Sequence, residues 1–127
     1  MEKYIYEYFL LNFSYQSNEM DQTAYSAIVM NQCVCAGSAH AFHYFMKRLG
    51  IPSYIRTSQD HAWNLIQLDG KWYQVDATPM KKKKYRKLDY IQKGHEKKYF
   101  NRPIDKKFWQ KADKNEFPND RIDEIIQ

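Results

Sequence analysis

Two residues separated by a tight turn, His61 and Asp76, and one cysteine upstream, Cys35, have the types and spacing to do covalent chemistry. His61 and Asp76 flank the runs AWNLIQL and KWYQV, which are joined by Asp69-Gly70. Two-residue hairpin turns favour that dipeptide because both central positions need positive φ. With Asp69 and Gly70 as the loop, Leu68 pairs with Lys71, Trp63 lies opposite Asp76 and His61 lies opposite Thr78. Side chains alternate faces along a strand, so His61 and Asp76 share a face as diagonal neighbours. Such diagonals are about 7–8 Å apart between Cα atoms, within reach of an imidazole–carboxylate hydrogen bond. A one-residue slip would send them to opposite faces. In the expected register the carboxylate holds one ring nitrogen and the imidazole presents the other, as a general base requires.

A base held this way serves a nucleophile, and Cys35 is the candidate. The thiolate attacks, not the thiol, and a helix N-terminus both favours the thiolate and offers backbone N–H groups nearby. Cys35 begins CAGSAHAFHYFMKRLG, the strongest helix pattern in the chain. It is rich in Ala, Phe and Met, carries Lys47-Arg48 in its last turn and stops at Gly50, with Pro52 just beyond. A Cys35–His61–Asp76 triad is therefore expected if the sheet folds back onto the start of that helix. Such a triad transfers an acyl group through a thioester. The Cys35 backbone N–H is one candidate oxyanion donor; Tyr15, Gln16 and Gln32 stay open as the second.

The elements that must position these groups read as follows. The first dozen residues form a helix whose apolar face includes Tyr4, Ile5, Tyr8, Phe9 and Leu11. Ser17-Asn18 breaks the pattern, and a second helix runs from about Thr23 to Met30 with Asp21 as its cap. Ile51–Thr57 is a strand, followed by the hairpin. Phe42, Phe45 and Met46 are expected to pack the central helix on the sheet. Helices followed by a small antiparallel sheet make an α+β fold. At 127 residues the chain reads as one domain over residues 1–127, because two cores would leave each roughly 60 residues. A Lys-rich stretch from 81 to 127 extends that domain. Hydrophobic residues make up 43% and aromatic residues 17%, which excludes wholesale disorder.

Taken together, Val34-Cys35-Ala36-Gly37, Leu49-Gly50-Ile51-Pro52-Ser53, His61-Ala62-Trp63-Asn64, Asp69-Gly70-Lys71-Trp72-Tyr73 and Val75-Asp76-Ala77-Thr78 resemble the transglutaminase-like core. The resemblance covers roughly residues 5–80 and is most specific from 34 to 78. It implies a papain-like fold with Cys35 as nucleophile, His61 as general base and acid, and Asp76 as its orienting partner. It further implies that Trp63 and Trp72 pack around the site and the hairpin. The implied activity is thiol-dependent acyl transfer at amide bonds of protein or peptide substrates. Hydrolysis (protease, amidase or deamidase) is placed ahead of amine cross-linking, since 127 residues leave little material for a lid or a second-substrate groove. The family commonly has glycine two residues before the nucleophile; here that residue is Cys33, read as a small buried hydrophobe whose thiol could bond to Cys35 under oxidation.

Other chemistries fit less well. No cofactor is expected: the thiol mechanism needs no metal, and calcium-loop and phosphate-cradling glycine motifs are missing from a chain with four glycines. Cys33, Cys35, His40 and His43 have zinc-like spacing, but each pair falls one residue short of the usual separations. His40 and His43 read as surface or helix-packing residues. The net charge is +5 with a pI near 9.1, and the Lys81–Lys84 run followed by Tyr85-Arg86-Lys87 reads as a solvated loop. No base-reading motif accompanies it, so a nucleic-acid partner is not expected. No run approaches the roughly 18–20 apolar residues of a membrane-spanning helix. The start shows no signal-peptide pattern, which suits a cytoplasmic protein or a piece of a larger secreted one. The alternative reading is a non-catalytic basic module that binds a protein or an anionic polymer, or a small effector or toxin domain.

Overall fold

The computed structural model describes residues 1–20, 22–58 and 61–104. Helix α1 (Glu2–Asn12) leads into the short strand β1 (Ser14–Tyr15). Helix α2 (Ala24–Met30) follows, capped by the Thr23 side chain, which accepts from the Ser26 N–H at 3.2 Å. The cap read from the sequence, Asp21, lies outside the described residues. Asn31, in the left-handed region at φ 55°, ends α2 and turns the chain into β2 (Gln32–Cys33), which pairs in parallel with β1. Helix α3 (Cys35–Arg48) starts one residue later. Gly50 at φ +75° stops it, and the Ile51 N–H returns to the Met46 carbonyl at 2.9 Å.

Strands β3 (Ser53–Thr57), β4 (Ala62–Leu68) and β5 (Lys71–Val75) then form an antiparallel sheet, with β6 (Arg102–Pro103) added beside β5. Asp69 and Gly70 take φ 52° and 78°, the pair of positive values that the turn requires, and Leu68 pairs with Lys71 as expected. Between them and β6 lie a 3₁₀ turn (Lys83–Tyr85) and a continuous helical run. That run comprises α4 (Leu88–Tyr90), a π-helical turn (Ile91–His95) and α5 (Glu96–Tyr99). Ile91 is fully buried in the main core, so this part of the Lys-rich stretch packs against the preceding elements.

Two polar ties set α3 against the sheet: Asn64 Nδ2 donates to the Ala39 carbonyl at 2.9 Å, and Ser38 Oγ donates to the Ala77 carbonyl at 2.6 Å. All four residues are buried, so each bond satisfies groups that would otherwise cost about 1–3 kcal/mol. Ile66, Val75 and Ala77 join Phe42 and Met46 in one apolar core. Phe42 and Phe45 turn toward α1, each making an edge contact with Phe9 at 5.8 Å between centroids. Phe42 also shares the core with Ile66 and Val75 of the sheet, as expected, and Phe45 packs against that core, while Ser38 and Ala39 carry the polar ties. The buried side of α1 matches its reading at Phe9, with Ile5 and Leu11 packed against the core, and differs at the tyrosines. Tyr6, Phe9 and Leu10 are inside, whereas Tyr4 and Tyr8 stack on each other at the surface, Tyr4 67% exposed. Apolar residues occupy nearly every position from Tyr4 to Leu11, so more than one stripe satisfies helical periodicity and the neighbouring elements choose between them.

Candidate active site

His61 immediately precedes β4 and Asp76 immediately follows β5, so both sit at one end of the hairpin. His61 Nε2 lies 2.6 Å from Asp76 Oδ2. The other carboxylate oxygen, Oδ1, accepts from the Thr78 N–H at 3.0 Å and from Thr78 Oγ1 at 2.5 Å. The Asp76 N–H donates to the Tyr99 carbonyl at 2.8 Å, anchoring the residue from behind. Burial by itself pushes the Asp76 carboxyl up; the hydrogen bonds from His61 and Thr78 outweigh it and hold the group below its usual value. His61 is more open, its side chain 37% exposed against 15% for Asp76. Thr78 entered the sequence reading only as the residue facing His61. The signal for its role was nevertheless local, since an Asp side chain commonly bonds the backbone two residues on.

The imidazole is also held in plane. Trp63 stacks on His61 at 5.5 Å between centroids and 23° between planes. Trp63 Nε1 donates to Gln74 Oε1 at 3.0 Å, and the Arg56 guanidinium sits 5.0 Å over the indole. Trp72 belongs to the other end of the hairpin, where it stacks on Tyr54 at 5.3 Å.

Cys35 is the first residue of α3 and is partly exposed. The Ser38 N–H already reaches back to the Val34 carbonyl at 3.1 Å, whereas the N–H groups of residues 35–37 have no acceptor within the helix. Residues three apart on a helix have Cβ atoms about 5–6 Å apart. Ser38, one turn on, is the residue bonded to Ala77, the neighbour of Asp76. The tie from Ser38 thus brings the first turn of α3 to the same end of the sheet as the His61–Asp76 pair. Cys33, by contrast, is fully buried in the core, as read from the sequence. Tyr15 pairs with Cys33, and the Gln16 N–H donates to the Cys33 carbonyl at 3.1 Å. Tyr15 and Gln32 therefore lie on the strand pair that feeds Cys35, and Gln16 directly follows it. His43 turns to Ser53 Oγ at 2.5 Å and His40 is exposed, so the zinc-like spacing does not become a group of three ligands among the described residues.

One residue near the pair was not singled out in the sequence. His95, at the end of the π-helical turn, takes a hydrogen bond on Nδ1 from the Tyr6 hydroxyl and packs on Tyr99 at 4.4 Å. Burial drives His95 down to about 4, against a smaller opposing pull from Asp76. The ring is therefore neutral in the folded protein, whereas the unfolded chain takes up a proton near 6.5. Its stabilising contribution is complete above about pH 6.5 and is lost as pH falls toward about 4. Urea unfolding between those values should show the wild type weakening while His95→Gln follows a flatter course. Parallel courses would mean that this ring does not set the acid sensitivity.

Two hollows meet at His61 and Asp76. One, about 230 Å³, is bounded by Trp63, Gln74, Lys98, Tyr99 and Arg102. The other, about 390 Å³, is bounded by Thr78, Lys81, Lys82, Tyr85, Tyr90 and His95, among others. The described site thus consists of an Asp76-held His61 at one end of the hairpin and Cys35 at the start of α3.

No curated protein matches the chain. Among solved structures, that of a TGase superposes with a TM-score of 0.56 at 17% identity, covering 61% of this chain and 25% of the other. At that identity the likeness is one of fold, and this chain spans a quarter of the other's length. No helix among the described residues is long and apolar enough to cross a membrane. Residues 1–77 match the model of the transglutaminase-like superfamily, a span that includes Cys35, His61 and Asp76. That match covers more than half of the sequence, and with the α+β architecture it establishes that this chain belongs to the transglutaminase-like superfamily.

Proposed function

We propose that the protein is a thiol-dependent acyl-transfer enzyme that acts on amide bonds of protein or peptide substrates through a Cys35 thioester. The observation that carries this reading is the 2.6 Å contact between His61 Nε2 and Asp76 Oδ2, in a chain of the transglutaminase-like superfamily whose helix α3 begins at Cys35. With Nε2 engaged by the carboxylate, Nδ1 is the ring atom assigned to proton exchange. It takes the Cys35 proton, and the thiolate attacks the carboxamide or peptide carbonyl. Backbone N–H groups at the start of α3 face the oxyanion; Tyr15, Gln16 and Gln32 supply the candidates for a second donor. The imidazolium then protonates the departing ammonia or amine, and the thioester remains. Water, deprotonated by His61, releases the acid and restores the thiol; a primary amine in the same role forms a new amide. Hydrolysis is the favoured outcome, because the His61 side chain is 37% exposed and so within reach of water.

Incubation with a glutamine-rich protein, with and without a primary-amine probe, tests the reading. Ammonia release alone marks deamidation, probe incorporation marks cross-linking and new termini mark proteolysis. Iodoacetamide should label Cys35 at least about tenfold faster than Cys33, whose thiol is fully buried. Slow, equal labelling without any of the three products would favour a non-catalytic basic binding module on the same fold.

A further inference from the structure

The larger hollow beside His61 and Asp76 has a charge balance that the acyl-transfer chemistry does not use. We infer that it is an anion subsite, selecting acyl donors that carry an acidic residue next to the reactive amide. The inference rests on the acyl-transfer reading for where the amide sits.

Lys81 and Lys82 bound this hollow, and the only carboxylate among its lining residues is Asp76. Both oxygens of Asp76 are engaged elsewhere, Oδ2 by His61 and Oδ1 twice by Thr78, and its ion pair is with His61 rather than with either lysine. Among the described residues, none of the salt bridges involves Lys81 or Lys82. Lys81 is held in place by an aromatic ring, its Nζ 5.1 Å over Tyr15. A cation–π contact fixes an ammonium without cancelling its charge or using its N–H donors. The same contact links the hollow to the strand pair that feeds Cys35, because Tyr15 is the register partner of Cys33. Tyr85 and Tyr90, stacked at 4.8 Å, supply an aromatic wall. Arg86, next to Tyr85 in the chain, is tied to Ser14 Oγ at 3.1 Å. An extended peptide advances about 3.3 Å per residue, and His61 bounds the same hollow as the two lysines, so the acidic side chain is assigned to a position one or two residues from the reacting carboxamide. A peptide is favoured over a nucleic acid because His61, the proposed base, bounds the hollow, and a polynucleotide brings no amide carbonyl to it.

The test compares three peptides of equal length in which the reactive glutamine is flanked by Glu, Ala or Lys. Ammonia release at low salt should give the Glu peptide a kcat/KM about 3–20-fold above the Ala peptide, with the Lys peptide lowest. K81Q/K82Q should bring the Glu-to-Ala ratio close to one, whereas Lys71→Gln at the hairpin tip should preserve it. A ratio near one in the wild type, or a preference that survives K81Q/K82Q, overturns the subsite. Binding of the Glu peptide to the Cys35→Ala protein, with and without K81Q/K82Q, separates the subsite from the chemistry. Lysine-dependent binding without any turnover by the wild type keeps the subsite and removes the acyl-transfer reading. A single-stranded oligonucleotide that binds more tightly than the Glu peptide, and by the same lysines, overturns the acidic-peptide assignment.

Discussion

Cys35→Ala should lower ammonia release from a reactive glutamine peptide by about 10⁴–10⁶-fold, the scale on which removal of a nucleophile acts when no other group can form the covalent intermediate. The effect should appear in kcat with little change in stability, because Cys35 is partly exposed and its loss opens no cavity. Cys33→Ala is the informative comparison. Its thiol is fully buried in the main core, so that variant should unfold at lower denaturant while keeping its turnover. Initial rates and unfolding midpoints for the two variants decide the matter. Loss of turnover in Cys33→Ala with survival in Cys35→Ala would assign the nucleophile to the wrong cysteine.

Asp76→Asn should cost about 10²–10⁴-fold in kcat without disrupting the hairpin. The reason lies in the number of donors that converge on the carboxylate. Oδ2 meets His61 Nε2, while Oδ1 accepts both the Thr78 N–H and the Thr78 hydroxyl. An asparagine has one acceptor oxygen and one NH₂ group. With the oxygen toward Thr78, the NH₂ faces His61 and forces Nε2 to accept, which moves the ring proton to Nδ1, the atom that must take the thiol proton. With the amide flipped, donors confront donors at Thr78. Thr78→Val, which removes one donor and leaves the carboxylate, should produce a smaller loss of a few fold. The pH response has a definite sign. The folded Asp76 carboxyl is held below 3.8, so its contribution to stability is present above the ordinary carboxyl value and is lost as pH falls through the folded one. Asp76→Asn should flatten that acid limb, and a steep limb retained in the variant would place its origin in another carboxylate.

How much of the site was legible depends on how far apart in the chain its parts stand. The Asp69-Gly70 turn and strict strand alternation were enough to place His61 and Asp76 as diagonal neighbours, and they meet at 2.6 Å. The stop of α3 at Gly50 is likewise a local matter, because a left-handed residue there is inexpensive only for glycine. The buried stripe of α1 was not legible: several overlapping stripes were equally apolar, and only Phe42, Phe45 and Phe100, brought in from distant segments, select Tyr6 and Phe9. The Lys81–Lys84 run illustrates a subtler gap. It read as a solvated loop, and its side chains are indeed exposed, yet two of them bound the hollow that opens on His61.

By itself the amino-acid sequence determined which side chains carry reactive groups, the register that pairs the histidine with its carboxylate, and the helix that begins at the cysteine. These follow from torsional preferences and periodicities acting over a few residues, where the chain has few alternatives. Tertiary packing decided that Ser38 ties that helix to Ala77, that Tyr6 meets His95 across 89 positions, and that the backbone of Tyr99 steadies Asp76. No local preference encodes such contacts. They arise when burial of one shared apolar core, from Tyr6 and Phe42 to Ile91, brings polar groups from remote segments together and each must find a partner there.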